Sequence, residues 1–404
     1  AAVAAFQPSG PLDLEARVQS LVHAMTNEEK ARQLDMYSGR DFLSNGRFNK
    51  SKADLVLGSG LGVGRIHDLY AQDPALANEI QRAVVASSRH GIPAIVGEEG
   101  VHGYQKDGHT VFPSPISTAA SFNASLAFAI GRVIGTEARV TGTHEIWSPV
   151  CGLAREPRWG RSNEEFGEDV HLAAAMVGQQ VLGMSDRKNY TSPTAVAPLL
   201  KHLWAYSIGE GGLNARPAHL GRREVLSEFA EVFRSGVEHG ALGAMSSYNE
   251  VDGVPTSADP WVLLETLRGA WGFEGYVTAD FGAIRKLEPG AGGHATAENT
   301  SEAVRQFLTA GGNMQGYDYP QDTYQQAIVE LVATGRLPQA TLDSRAADVL
   351  RVKARLGLLD SPYVDETLAG ALSDAPAHRA LAREAAEQVM TLLKNEKSVL
   401  PLDA

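Results

Sequence analysis

Apolar residues in the first part of the chain recur at helical spacing. In DLEARVQSLVHAMTNEEKARQLDM, residues 13–36, Leu14, Val18, Leu21, Val22 and Met25 share one face, and TNEE reads as the cap of a second helix. Past this helical pair the period changes. Short β-branched or apolar runs follow in series: GLGVGRIH, IPAIVGEE, EIWSPVCGL, AVAPLLKH, GALGAMSSYN, GYVTAD and GGNMQGYD. Helical patterns such as EDVHLAAAMVGQQVLGM and RREVLSEFAEVFRSGVEHG lie between them. Strands alternating with helices predict an α/β fold with a parallel sheet. Seven units are countable, with room for an eighth, and neither G-x-G-x-x-G nor G-x-x-x-x-G-K-S/T opens a helix. The pattern therefore predicts a (β/α)8 TIM-type barrel rather than a doubly wound nucleotide fold.

The barrel, with its N-terminal helical extension, is expected over residues 1–357, where TLDSRAADVLRVKARLGLLD reads as the closing helix. Residues 358–404 read differently. SPYVDETLAGALSDAPA has the composition of a linker, and the helical AHRALAREAAEQVMTLLKNE leads into the strand-like KSVLPLDA. This is the expected approach to a second domain, absent from the chain.

Composition narrows the partners. A 404-residue chain with 43% hydrophobic and 21% charged residues has the material for a large core. A net charge of -12, with no run of lysines and arginines, argues against nucleic acid. No apolar run reaches the roughly 20 residues of a membrane span, and AAVAAF is too short, and lacks the charged start, for an intact signal peptide. The single cysteine, Cys151, excludes an intrachain disulfide and a cysteine-cluster metal site, and reads as a small buried residue. Sequons at Asn49, Asn123, Asn189 and Asn299 set an expectation of a glycoprotein in the secretory pathway or outside the cell, against coincidence.

The apolar runs tend to end on chemistry: Glu98, Glu99 and His102 after the second, Lys201 and His202 after the fourth, Tyr248 and Asn249 after the fifth, Asp280 after the sixth. In a parallel barrel these carboxyl-terminal strand ends meet at one mouth. Each residue also has a structural account. Asp280 could be a turn or capping residue, although Phe281 and Gly282 behind it allow a sharp turn with little bulk near the carboxylate. Lys201 could be a solvated strand end and His202 a core histidine, and only a bend in the strand would bring both to the mouth. REPRWGRSNEEFGED, residues 155–169, is either a salt-bridged loop or a hydroxyl clamp supplied by Arg155, Arg158 or Arg161.

LAREPRWGRSNEEFGED resembles the L-A-R-D-P-R-W-G-R-x-x-E-x-F-G-E-D signature of glycoside hydrolase family three, the exo-acting β-glucosidases and β-xylosidases. GEEGVHG, VFPSPISTAASFN, LLKHLWAY, MSSYNEVDGVPTS, LRGAWGFEGYVTADFGA and RVKARLGLLDSPYVD resemble its other blocks, in order and at similar spacing. The resemblance runs from about residue 17 to the end of the chain. It implies that Asp280 is the nucleophile and that Lys201 and His202 bind hydroxyls of the non-reducing sugar. It further implies that Arg161 grips the same sugar while Arg158 braces the loop, that Met245 and Tyr248 line the sugar, and that Glu99 holds the hydroxyl farthest from the scissile bond. Phe281 stands where many members have tryptophan, keeping apolar stacking possible. Asn313 stands where aspartate is frequent. No metal or cofactor is implied, and the expected partner is a carbohydrate, a β-glucoside or β-xyloside.

Retention requires a second carboxyl group about 5–5.5 Å from the nucleophile. In two-domain members this acid comes from the domain after the barrel, so the general acid/base is expected outside this chain, on the rest of the polypeptide or on a second cleaved chain. Glu165 and Glu210 are in-chain candidates that no motif marks, and KHLWAYSIGEGG lacks the histidine motif of single-domain members. The expectation is a retaining β-glucosidase, with β-xylosidase as the alternative on the same scaffold. Two rivals are a sugar-binding barrel without turnover and a Schiff-base aldolase using Lys201.

Overall fold

The computed structural model describes residues 11–402 apart from Gln72 and Ala291; the AAVAAF run lies outside the described residues. Seven parallel strands form the central sheet: β1 Met36–Ser38, β2 Arg65–His67, β3 Ile95–Glu99, β4 Glu145–Trp147, β5 Ala197–Leu203, β6 Gly243–Ser246 and β7 Tyr276–Ala279. Each pairs with the next in chain order. Beyond β7, Met314 bridges Thr278, and the Gln315 N–H donates to the Leu34 carbonyl at 3.4 Å just before β1. The parallel sheet is thus curled, its last segment returning to its first.

The expected runs coincide with β2 to β7, while GGNMQGYD contributes only the bridge at Met314. The second helix, Asn27–Gln33, ends before Met36, and Met36 opens β1 instead of closing the helix as the periodicity predicts. Its start is as read: Thr26 and Glu29 form a reciprocal capping box.

Helices cover the outer face, so strands such as β5, APLLKHL, are buried along their whole length. The interior also holds charge. Arg65 and Glu145 pair at 3.2 Å with no exposure, and Tyr276, Trp147 and Thr278 supply the surrounding hydrogen bonds. These bonds meet most of the pair's polar atoms, while Arg65 Nε is left without a partner among the described residues. Three of the four sequon asparagines have a local role: Asn49, Asn123 and Asn299 each cap the start of a helix.

After the closing helix Gln339–Arg355, the linker lies against the barrel, with Asn78 bonded to Val364 and Glu366. Helix Pro376–Gln388 packs Leu381, Ala382 and Ala385 among residues of helix Ala124–Val140 such as Leu126 and Ile130. Beyond it Met390, Leu392, Leu393, Val399, Leu400 and Leu402 are exposed.

Candidate active site

Asp280 follows β7, and the chain turns at once through Phe281 and Gly282, whose φ of +78° suits a residue without a side chain. Its carboxylate is 8% exposed. Oδ1 accepts the Tyr248 hydroxyl at 2.9 Å and the Phe281 N–H at 2.8 Å. Oδ2 is buried and, among the described residues, takes no hydrogen bond, with His202 Nε2 3.5 Å away. Burial pushes the Asp280 carboxyl above its usual range, against the pull of Lys201, the Tyr248 hydroxyl, the Phe281 N–H and Arg161.

Lys201 and His202 are neighbours on β5, yet both reach this site. A regular strand would send one of them away; here the register against β6 shifts between Leu200 and Leu203. Lys201 Nζ donates to both Glu99 oxygens, at 2.9 and 2.7 Å. Arg161 holds Glu164 with two bonds of 2.7 and 2.8 Å and brings Nη2 to 3.4 Å from His202 Nε2. A guanidinium only donates, so Nε2 accepts and the neutral ring carries its proton on Nδ1. Burial, reinforced by Arg161 and Lys201, holds the His202 imidazole well below its ordinary range and therefore neutral.

An apolar wall flanks these groups. Phe281 is 41% exposed and meets His67, Trp147 and Tyr317 at ring distances of 5.4, 5.6 and 5.2 Å. His67 stacks on Trp147 at 4.2 Å and 4°. Met245 is buried in the cluster that contains Trp147 and Ala279. Sequence reasoning missed His67, Trp147 and Tyr206, whose ring lies 5.0 Å from His202. His67 ends GLGVGRIH, so the same strand-end rule applied to the first run finds it. It is 4% exposed, and among the described residues neither ring nitrogen has a hydrogen bond. Burial, then Arg65 and Lys201, pull its pKa down to about 3.

Several expected residues lie elsewhere or serve the backbone. Glu98 is fully buried and accepts the N–H groups of Asp68, Leu69 and Tyr70, which fixes the loop after β2. The ligand atoms of His67, Asp68 and Glu98 lie within 4.8 Å of one another, but those three donors occupy the Glu98 oxygens that a cation would need. Asn249 is buried, donates to the Trp204 carbonyl and accepts from Ser247. Arg155 pairs with Glu228, and Arg158 lies on the surface against Glu156. His102 lines a small cavity with Phe166 and Gln180. Glu165 is buried against Gly152, its carboxyl raised by burial to about 8. Glu210 is exposed and bonded to His219 at 2.7 Å. Cys151 is buried.

The chain can thus offer one carboxylate with a fixed and a free oxygen, a neutral imidazole acceptor, two paired cations and an aromatic wall. Residues 26–352 match the family model described as the glycosyl hydrolase family 3 N terminal domain. Over 97% of its length the chain is 32% identical to the periplasmic beta-glucosidase of Salmonella typhimurium, covering 50% of that protein. It is 33% identical, again over 97%, to a putative beta-xylosidase of Formosa agariphila, covering 52% of it. Among solved structures, a β-glucosidase from Erythrobacter marinus superposes with a TM-score of 0.88 at 32% identity, over 96% of this chain and 51% of that one. A Listeria innocua β-glucosidase in complex with glucose gives 0.85 at 29% identity, over 96% and 53%. The chain spans about half the length of the curated relatives it matches.

Proposed function

The chain belongs to glycosyl hydrolase family 3, and from that premise we propose that it supplies the nucleophile half of an exo-acting, retaining β-glycosidase that removes terminal β-D-glucosyl residues. The curled sheet is read as a (β/α)8 barrel with the catalytic mouth at its carboxyl-terminal strand ends. The observation that carries the reading is Asp280: Oδ1 is fixed by two donors while Oδ2 is left bare beside His202.

Asp280 Oδ2 attacks the anomeric carbon, and the leaving oxygen takes a proton from a carboxyl group outside the described residues. Water then hydrolyses the glycosyl ester with that group as base. Lys201, Glu99, Arg161 and His202 bind sugar hydroxyls. A sugar hydroxyl can donate to Asp280 Oδ2, which takes no hydrogen bond among the described residues, while the lone pair of His202 Nε2 is taken by the Arg161 N–H. Tyr248 and Met245 line the ring, and Phe281 stacks on the leaving side. The acid is assigned to the part of the relatives' length that this chain does not span, because Glu165 is enclosed beside Gly152 and Glu210 stands in solvent with His219. The periplasmic relative supports a location outside the cytoplasm.

The putative β-xylosidase relative, as similar as the β-glucosidase, keeps xylose as the second reading. The aldolase reading loses support, since it needs a free amine and Lys201 is bound by both oxygens of Glu99. The test is incubation of the intact polypeptide with 2-deoxy-2-fluoro-β-glucosyl fluoride, followed by peptide mapping. One added sugar on YVTADFGA supports the assignment. Unlabelled protein with the glucosyl reagent but label from the xylosyl reagent selects xylose, and no label from either removes Asp280 as nucleophile.

A further inference from the structure

A cavity of about 1150 Å³ opens at the other end of the sheet from Asp280. Its walls come from segments that precede strands: Val140 before β4, Lys188 to Pro193 before β5, Phe273 and Glu274 before β7. Tyr363 and Leu368 of the linker close one side. Small-molecule sites run to about 300–1,000 Å³, so the space is ample for a small organic ligand. Much of the wall is apolar, from Leu14, Val140, Tyr190, Phe273, Tyr363 and Leu368.

One cation in this wall stands apart. Arg139, in the last turn of helix Ala124–Val140, is 6% exposed. Among the described residues it has neither ion pair nor hydrogen bond, and its Nη1 is a buried donor without an acceptor. The other cations of the wall have partners: Arg351 with Glu15 and Asp348, Arg355 with Glu274, and Lys188 with the Glu238 carbonyl. The carbonyl end of its own helix offsets only part of the cost of burying a full charge. Burial pulls even this guanidinium down, to about 10.

We propose that this cavity is a binding site for a small organic carboxylate with an apolar body, anchored by Arg139. The planar guanidinium meets a carboxylate with two parallel N–H···O bonds. Glu15, Glu274, Asp348, Asp360 and Asp365 also line the cavity, and their negative charge disfavours a doubly charged phosphate more than a monocarboxylate that meets Arg139 directly. The apolar wall takes the rest of the molecule, and contact with Tyr363 and Leu368 would tie the linker to the base of the sheet. The site is independent of the glycosidase reading.

The test is calorimetry and thermal melting of the intact polypeptide with benzoate and hexanoate, using benzamide and hexanamide as uncharged matches. Both acids are expected to bind and raise the melting temperature, and the amides to do neither. Arg139→Met is expected to weaken acid binding at least tenfold and to melt higher than wild type without ligand, because it removes an uncompensated charge. Leu368→Trp fills the cavity from the linker side, leaves Arg139 in place and is expected to block the acids as well. Failure of both acids to bind at millimolar concentration overturns the site, as does equal binding of acids and amides. If Arg139→Met does not fold, Leu368→Trp decides, and undiminished acid binding by it overturns the proposal.

Discussion

At the carboxyl ends of the strands Lys201 lies on Glu99, Arg161 on Glu164, and Asp280 takes two donors. At the amino ends Arg139 has no counter-ion among the described residues, Lys353 rests on the Gln33 amide oxygen and the Val63 carbonyl, and Arg268, Arg345 and Arg351 share one acid, Asp348. Two ion pairs thus stand at the mouth, whereas at the base one guanidinium is unpaired among the described residues and three others share one acid. In the pairs, each charge fixes the direction of its partner. At the base Arg351 also reaches Glu15, while Lys353 is held by an amide oxygen and a carbonyl. Asn313 belongs to that second pattern. It accepts from Arg268 and the Val277 N–H and donates to the Arg345 carbonyl and Asp348, where an aspartate would have supplied another negative charge.

The most damaging way to break the mouth is Asp280→Asn. It should lower kcat/KM of the intact polypeptide on an aryl β-glucoside by at least ~10³-fold with the far-ultraviolet spectrum unchanged. Lys201→Met comes next. It strands Glu99, and a broken buried pair costs about 3–5 kcal/mol; because the Glu99 side chain is 27% exposed, we expect a smaller loss, about 2 kcal/mol, in urea unfolding. Glu99→Gln in the same chain should return part of it, whereas at the base Arg139→Met alone should stabilise. Equal signs for the two lysine and arginine changes would erase the contrast between the ends.

His67→Leu probes a quieter part of the mouth. The ring has no hydrogen bond to lose among the described residues, so the melting temperature should fall only by the lost stacking on Trp147, while KM rises about tenfold if a sugar hydroxyl meets its nitrogens. An unchanged KM would make it simply a stacking partner of Trp147. A different kind of probe is the pH profile. Glu165 has its folded-state pKa raised to about 8 against an ordinary value of 4.5. Between those values the native chain holds a proton that the unfolded chain has released, so stability falls as pH rises across the window. Glu165→Gln should flatten that slope by one proton's share, measured as unfolding free energy at several pH values.

How much of this was readable beforehand depended on range. Strand ends were legible because an apolar run that stops on a polar residue is a local signal, and it led to Asp280, Lys201, His202 and Glu99. β1 was not, since Met36–Ser38 follows the second helix almost at once and is too short to show alternation. Adjacent carboxylates could not be told apart by type: Glu98 turns to the Asp68–Tyr70 backbone and Glu99 to Lys201. Alternation argued against Lys201 and His202 facing one site, and the register shift in β5 is what that rule omits. The unpaired state of Arg139 was out of reach, because pairing is decided by residues distant in sequence.

The six exposed apolar side chains between Met390 and Leu402 bear on handling in solution. Exposed apolar side chains in such number along one short segment favour self-association. A preparation of these 404 residues alone is expected to be colloidally fragile, with light scattering that climbs with protein concentration. Specific activities measured on it would then depend on dilution, and a dilution series becomes the natural control for every rate.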